Sequence, residues 1–140
     1  MKLRDLNAFF VRREVKLQIV RRVRPEVWEV RKDGPWSDDD IYEVEADVVH
    51  MPTVDTLAEA DGVWFLCPKC YADNGGEVGT HSVICWFVGK VPDDAEPKPG
   101  RWVPSGSGID DLTFVGPNAA SVLLTGGCRW HGFVRNGDAT

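Results

Sequence analysis

Two short motifs with the same internal gap constrain this chain more than anything else in it. The first is Cys67-Pro68-Lys69-Cys70, directly after the apolar run Val63-Trp64-Phe65-Leu66. The second is Cys128-Arg129-Trp130-His131, with 57 residues between the two. A zinc ion takes four sulfur or nitrogen ligands in a tetrahedron, and Cys-x-x-Cys supplies two of them from one tight turn. A chain that brings both turns to one ion must fold back on itself between them. Cys67, Cys70, Cys128 and His131 are therefore the expected ligands and zinc the expected metal, with iron able to use the same donors. The competing reading is that Cys67 and Cys128 are small buried apolar residues whose spacing is accidental.

Redox pairs also use Cys-x-x-Cys. They need the pair at a helix start after a parallel strand, and the downstream "YADNGGEVG" is a poor helix former, which favours the metal. His81 and Cys85 lie four apart in the strand-like "THSVICWFVG". In a strand they share a face but sit about 13 Å apart, so at most one can join the same ion. His81 is an alternative ligand to His131, or a residue that orients the ligands from behind. Cys85 is expected in the core and His50 at the surface end of a strand.

The segments around these motifs read mostly as strands. "VKLQIVRRV" and "EVWEVR" suggest two half-buried strands with Pro25 near their turn. In "IYEVEADVV", Tyr42, Val44, Ala46 and Val48 alternate with acids, the pattern of a one-sided strand. "LRDLNAFF" suits a short amphipathic helix, with a strand as the alternative. Asp55 is placed to cap a short helix over 56–60, with Gly62 as its terminator. "KDGPWSDDD" and "KVPDDAEPKPG" are loops. "SGSGIDDLTFVGPNAASVLLTGG" gives two short strands broken at Gly116-Pro117, and "CRWHGFVRNGDAT" one more, with a turn at Asn136-Gly137. The expected fold is mostly β: a compact antiparallel sheet or sandwich carrying a pair of zinc knuckles and one or two short helices.

With 140 residues the chain is expected to be one domain, 1–140, with its zinc-binding β core over 55–138. Hydrophobic residues make up 43%, and six are Trp, enough to fill a core. Trp64, Trp86 and Trp102 are expected inside; Trp28, Trp36 and Trp130 are candidates for surface contact. No apolar run reaches membrane-spanning length, and "MKLRDLNAFFVRREVK" holds no apolar segment of signal-peptide length. A cytoplasmic setting is expected, where cysteines serve as ligands or core fillers rather than disulfides.

Charge is unevenly spread. Residues 1–32 hold ten Lys or Arg and four Asp or Glu, a net of +6; the remainder hold six and eighteen, a net of −12. A basic N-terminal arm over 1–32 makes nucleic-acid contact through Arg12, Arg13, Lys16, Arg21, Arg22 and Arg24 one candidate function. The acidic remainder argues against it, since phosphate binding is mainly charge neutralisation. A zinc-dependent hydrolase using His81 or Asp110 and Asp111 is another candidate, but it needs an open coordination position. The nucleobase-deaminase and nucleophile-elbow signatures are not met, and no phosphate-binding loop is present.

"FLCPKC", "GTHSVICWF", "SGSGIDDLTF", "SVLL" and "CRWHGFVRNGD", taken in order, resemble a family of small uncharacterised bacteriophage and prophage proteins. The resemblance covers residues 55–138. It implies a metal-binding β domain of phage origin, with Cys67, Cys70, His81, Cys128 and His131 at the matching positions, and it implies no activity. The expected function is a non-enzymatic structural or protein-interaction module, in the host cytoplasm or the virion. Its expected partner is a virion component, a host protein or a second copy of the chain.

Overall fold

The computed structural model describes residues 1–24, 27–31, 44–116 and 120–140, the strands within 17–47 by their backbone alone. The expected turn at Pro25, the loop 32–40 with Trp36, Tyr42, and the break at Pro117 lie outside the described residues. The side chains of Trp28, Arg21, Arg22 and Arg24 do too.

The chain is mostly β, with antiparallel pairing throughout its sheets, as expected. It divides into two compact units, Met1–Arg12 with Pro52–Thr140, and Arg13–Met51. The division does not follow the charge boundary. The basic segment is split at residue 12, and 13–51 carries seven Lys or Arg against ten Asp or Glu, a net of −3.

The larger unit begins with a 3-10 turn, Leu3–Leu6, then β1 (Phe9–Val11), the tail of the short helix that spacing suggested. Asn7, at φ 55, ends the turn and Leu3 and Leu6 are wholly buried. In the second unit, β2 (Glu14–Arg24) pairs with both β3 (Val27–Arg31) and β4 (Val44–His50). Its register places Leu17 opposite Asp47 and Ile19 opposite Glu45, so the basic strand lies along an acidic one.

The chain returns to the larger unit at β5 (Thr53–Val54) and β6 (Gly62–Leu66). Between them Thr56, not Asp55, caps a single 3-10 turn, Leu57–Glu59; its hydroxyl oxygen accepts the Glu59 amide at 3.3 Å. Gly62 does not terminate that turn. It opens β6, where a Cβ would lie 2.7 Å from the Cys85 carbonyl oxygen and from the Trp86 ring. After β6 come helix α1 (Pro68–Asn74) and β7 (Ser82–Trp86). Then follow β8 (Val103–Ser105) with β9 (Thr113–Val115), and β10 (Ser121–Leu123), β11 (His131–Arg135) and β12 (Asp138–Ala139). The sheets run β5-β1-β6-β7, β10-β11-β12 and β8-β9. The N-terminus closes onto the C-terminal strand, with Met1 and Ala139 exchanging backbone hydrogen bonds.

The core of this unit is built from alternate positions of these strands: Phe10, Val63, Phe65, Val83, Cys85, Phe114, Val122 and Val134. Trp86 is buried, and Trp64 and Trp102 pack partly buried against the core, as expected. Trp130 is not a surface residue. It is 6% exposed and meets Phe65 edge-on at 6.0 Å. No helix among the described residues is long and apolar enough to cross a membrane.

Candidate metal centre

The first motif sits at a strand-to-helix junction. Cys67 is the N-cap of α1, Pro68 fills its first turn, and Gly75 in the left-handed region (φ 69) ends it. Proline at the first position costs a helix nothing, because that amide has no partner there anyway, and glycine accepts the terminating conformation without strain. These two residues make a helix of a stretch with poor internal propensity, where none was expected. The helix start that a redox pair needs is therefore present, although β6 pairs antiparallel on both sides.

β6 and β7 form an antiparallel pair with Leu66 opposite Ser82. One step further, the Cys67 amide donates to the His81 carbonyl at 2.9 Å. The imidazole thus stands beside the first cysteine turn. The loop between β10 and β11 carries Cys128 to the same place, and Lys69 Nζ donates to the Cys128 carbonyl at 2.8 Å.

Three thiols and one imidazole meet there. The ligand atoms of Cys67, Cys70, His81 and Cys128 all lie within 4.8 Å of one another. Cys67 Sγ is 3.6 Å from Cys128 Sγ, and His81 Nε2 is 3.2 Å from Cys128 Sγ. Donors about 2.0–2.3 Å from a common ion in a tetrahedron are about 3.5 Å apart, so the set fits one zinc-sized ion.

The group contains His81 and not His131. Strand alternation is the reason. Gly132 and Val134 of β11 face the core, so His131, Phe133 and Arg135 take the outer face. His131 is exposed and its ring lies 6.2 Å from that of Phe133, over which Arg135 stacks at 4.4 Å. Cys85, four residues beyond His81, is wholly buried in the core, as the strand spacing required. His50 ends β4, half-buried.

The four donors share protons unequally. Burial raises the Cys67 thiol, and burial with the neighbouring thiols pushes Cys70 up to about 11. Burial also opposes ionisation of Cys128, but the His81 ring, the Trp130 amide and the other two thiols outweigh it and bring this thiol down to about 6. The same contact with Cys128 raises His81. Metal-free, Cys128 is thus the thiol that ionises most readily, the His81 ring beside it holds its proton more firmly than a free imidazole, and the other two sulfurs resist ionisation.

Neither Asp110 nor Asp111 belongs to the group. Asp111 is committed to its own turn. Its carboxylate accepts the Ser107 amide and hydroxyl and the Gly108 amide at 2.8–3.0 Å, which holds it below the usual carboxylate range. "SGSGIDD" is accordingly a structural turn. Beside the cluster lies a cleft of about 650 Å³, bordered by His81, Ile84, Trp102, Leu123, Gly126 and Gly127. Of the nucleic-acid candidates with described side chains, Arg12 is exposed and Lys16 lies 3.6 Å from Glu14.

Comparison with family models, curated proteins and solved structures finds no match to this chain.

Proposed function

We propose that this chain is a zinc-stabilised β module of bacteriophage type that works by binding protein rather than by catalysis. The observation that carries the reading is the donor set, three thiols and an imidazole within 4.8 Å of one another. Four protein donors fill a tetrahedral ion and leave no position for a reacting water, which is the mark of structural zinc. Zinc suits a mixed Cys3His set better than iron, whose sulfur clusters are mostly held by four cysteines. Bound zinc in small domains contributes about 10–16 kcal/mol of apparent free energy, as large as an ordinary domain's whole stability.

Protein contact is supported by exposed apolar cross-strand pairs. Val103 and Val115 face each other on β8 and β9 at 46% and 41% exposure. Val15 and Val49 do the same on β2 and β4 at 48% and 47%. Such pairs suit a partner's surface in the virion, the host cytoplasm or a second copy. Nucleic acid is the weaker reading, because the unit holding most of the basic strand is itself net acidic.

Elemental analysis with native mass tests the proposal. The expected result is about one zinc per chain, a visible spectrum of the cobalt-substituted protein that is tetrahedral and unmoved by azide, and unfolding of the larger unit on chelation. Equal melting with and without chelator removes the metal. An azide-sensitive cobalt spectrum means an open site and returns the hydrolase. Self-association that weakens with salt identifies a second copy as partner.

A further inference from the structure

We propose that the same cluster is a site of reversible oxidation, in which the Cys128 sulfur attacks a peroxide and Cys67 then closes on it as a disulfide. The metal-release part of this rests on the zinc reading above; the disulfide does not.

The two sulfurs are 3.6 Å apart and belong to segments distant in sequence. A disulfide bond is about 2.05 Å long, so the pair must approach by about 1.5 Å. The two sides differ in how easily they move. Cys67 is wholly buried and held at both backbone ends, its amide on the His81 carbonyl and its carbonyl on the Tyr71 amide. Cys128 is half-exposed, in a loop where Thr125, Gly126, Gly127 and Arg129 are all exposed. Two consecutive glycines let that loop shift at little steric cost. The cleft beside the cluster is bordered by His81 and by Gly126 and Gly127, the residues just ahead of Cys128. Of this close pair, oxidant therefore meets Cys128 first, and Cys67 is the sulfur poised behind it.

The chemistry balances with one hydrogen peroxide. The Cys128 sulfur takes one peroxide oxygen as the O–O bond breaks and hydroxide leaves, giving a sulfenic acid. The Cys67 thiol gives up its proton and its sulfur attacks that of Cys128, the S–S bond forms, the S–O bond breaks and a second hydroxide leaves. The proton given up by each of the two thiols converts the two hydroxides to water. The two sulfurs together lose two electrons, and the peroxide gains them. Only Cys70 and His81 then remain as donors, too few for a structural zinc site. Cys85, wholly buried, is the internal control.

The test uses the full-length protein, as purified and after metal removal. Each form is treated with one equivalent of hydrogen peroxide, alkylated, digested without reduction and mapped by mass spectrometry, with a zinc-sensitive dye present throughout. The expected result is loss of two of the four free thiols and a Cys67–Cys128 cross-link in the protein as purified, with zinc released in step with it; the link is lost from the chelated form, whose larger unit is unfolded. Dithiothreitol restores the thiols and zinc uptake. A Cys67–Cys70 link as the main product, sulfinic or sulfonic Cys128 without a cross-link, or thiols indifferent to peroxide each overturns the proposal. If the purified protein holds no metal, the zinc reading fails by itself and the cross-link in the protein as purified still decides this one.

Discussion

His81 stands opposite Cys67 across the β6–β7 pair, its carbonyl accepting the Cys67 amide at 2.9 Å. That single backbone hydrogen bond makes an imidazole the neighbour of the first cysteine turn. His131, on the outer face of β11, is left exposed against Phe133. The two histidines therefore separate cleanly by mutation. His81→Ala is expected to lose most bound zinc and to melt far lower. His131→Ala is expected to keep about one zinc per chain and to change stability by no more than about 0.5 kcal/mol, as exposed substitutions do. Zinc content and thermal melting of both variants check this; the opposite pattern would move the fourth ligand back to the second motif.

Metal uptake should depend steeply on pH, in a direction the thiols set. Cys67 is raised and Cys70 is raised to about 11, so both hold protons near pH 7.5 and must lose them to bind. Cys128, lowered to about 6, is already ionised there. Zinc binding at pH 7.5 should release about two protons from the thiols, with more from the raised His81 as pH falls. Apparent affinity should climb as pH rises, most steeply below 6, where Cys128 is protonated as well. Calorimetry in buffers of differing ionisation enthalpy measures the release. An affinity flat between pH 5.5 and 8 contradicts it.

Cys70 and Cys85 are both cysteines near the core, but they do different work. Cys70→Ser should abolish high-affinity zinc binding and unfold the larger unit at moderate temperature. Cys85→Ser should keep zinc and cost about 1–3 kcal/mol, the penalty of burying a hydroxyl without a partner. Burial also pushes the Cys85 thiol strongly up, so in the native protein it should resist iodoacetamide until denaturant is added.

Arg101 organises the proline-rich loop ahead of β8. Its guanidinium donates to the carbonyls of Pro92, Ala95, Pro97 and Gly100 at 2.8–3.0 Å. No lysine can span four carbonyls, since its ammonium is a single point with three donors. Arg101→Lys is expected to cost about 2 kcal/mol or more and to open the loop 92–100 to proteolysis without altering zinc content. Limited digestion and denaturant melting read the two effects separately.

The sequence carried the strands and three of the four metal donors because both are written locally. Alternation marked β4, an apolar run marked β7, and the Cys-x-x-Cys spacing marked Cys67 and Cys70. What it could not carry was register. The His81 position follows from which residue of β7 pairs with the end of β6, a long-range fact. The helix after the first motif was readable in principle from Pro68 and Gly75, but its poor interior concealed it. Trp130 reads as a contact residue because nothing local shows that Phe65 lies against it.

The place where the chain leaves and re-enters the larger unit makes the smaller one separable. The Arg12 amide donates to the Pro52 carbonyl at 2.9 Å, and the next residues inward, Val11 and Thr53, are partners in the β1–β5 ladder. Residues 13–51 are thus an insertion between two points already bonded to each other. A two-residue Asn-Gly turn suits such a junction, since it closes adjacent antiparallel strands without splaying them. Replacing 13–51 by Asn-Gly should leave a chain that folds and binds about one zinc, with melting within a few degrees of the parent. Insertions between paired ends tend to be tolerated and removable, because the host's core does not pass through them. The candidate donors Cys67, Cys70, His81 and Cys128 all lie in the part retained. A shortened chain that aggregates with or without zinc would show that 13–51 completes the larger unit's core.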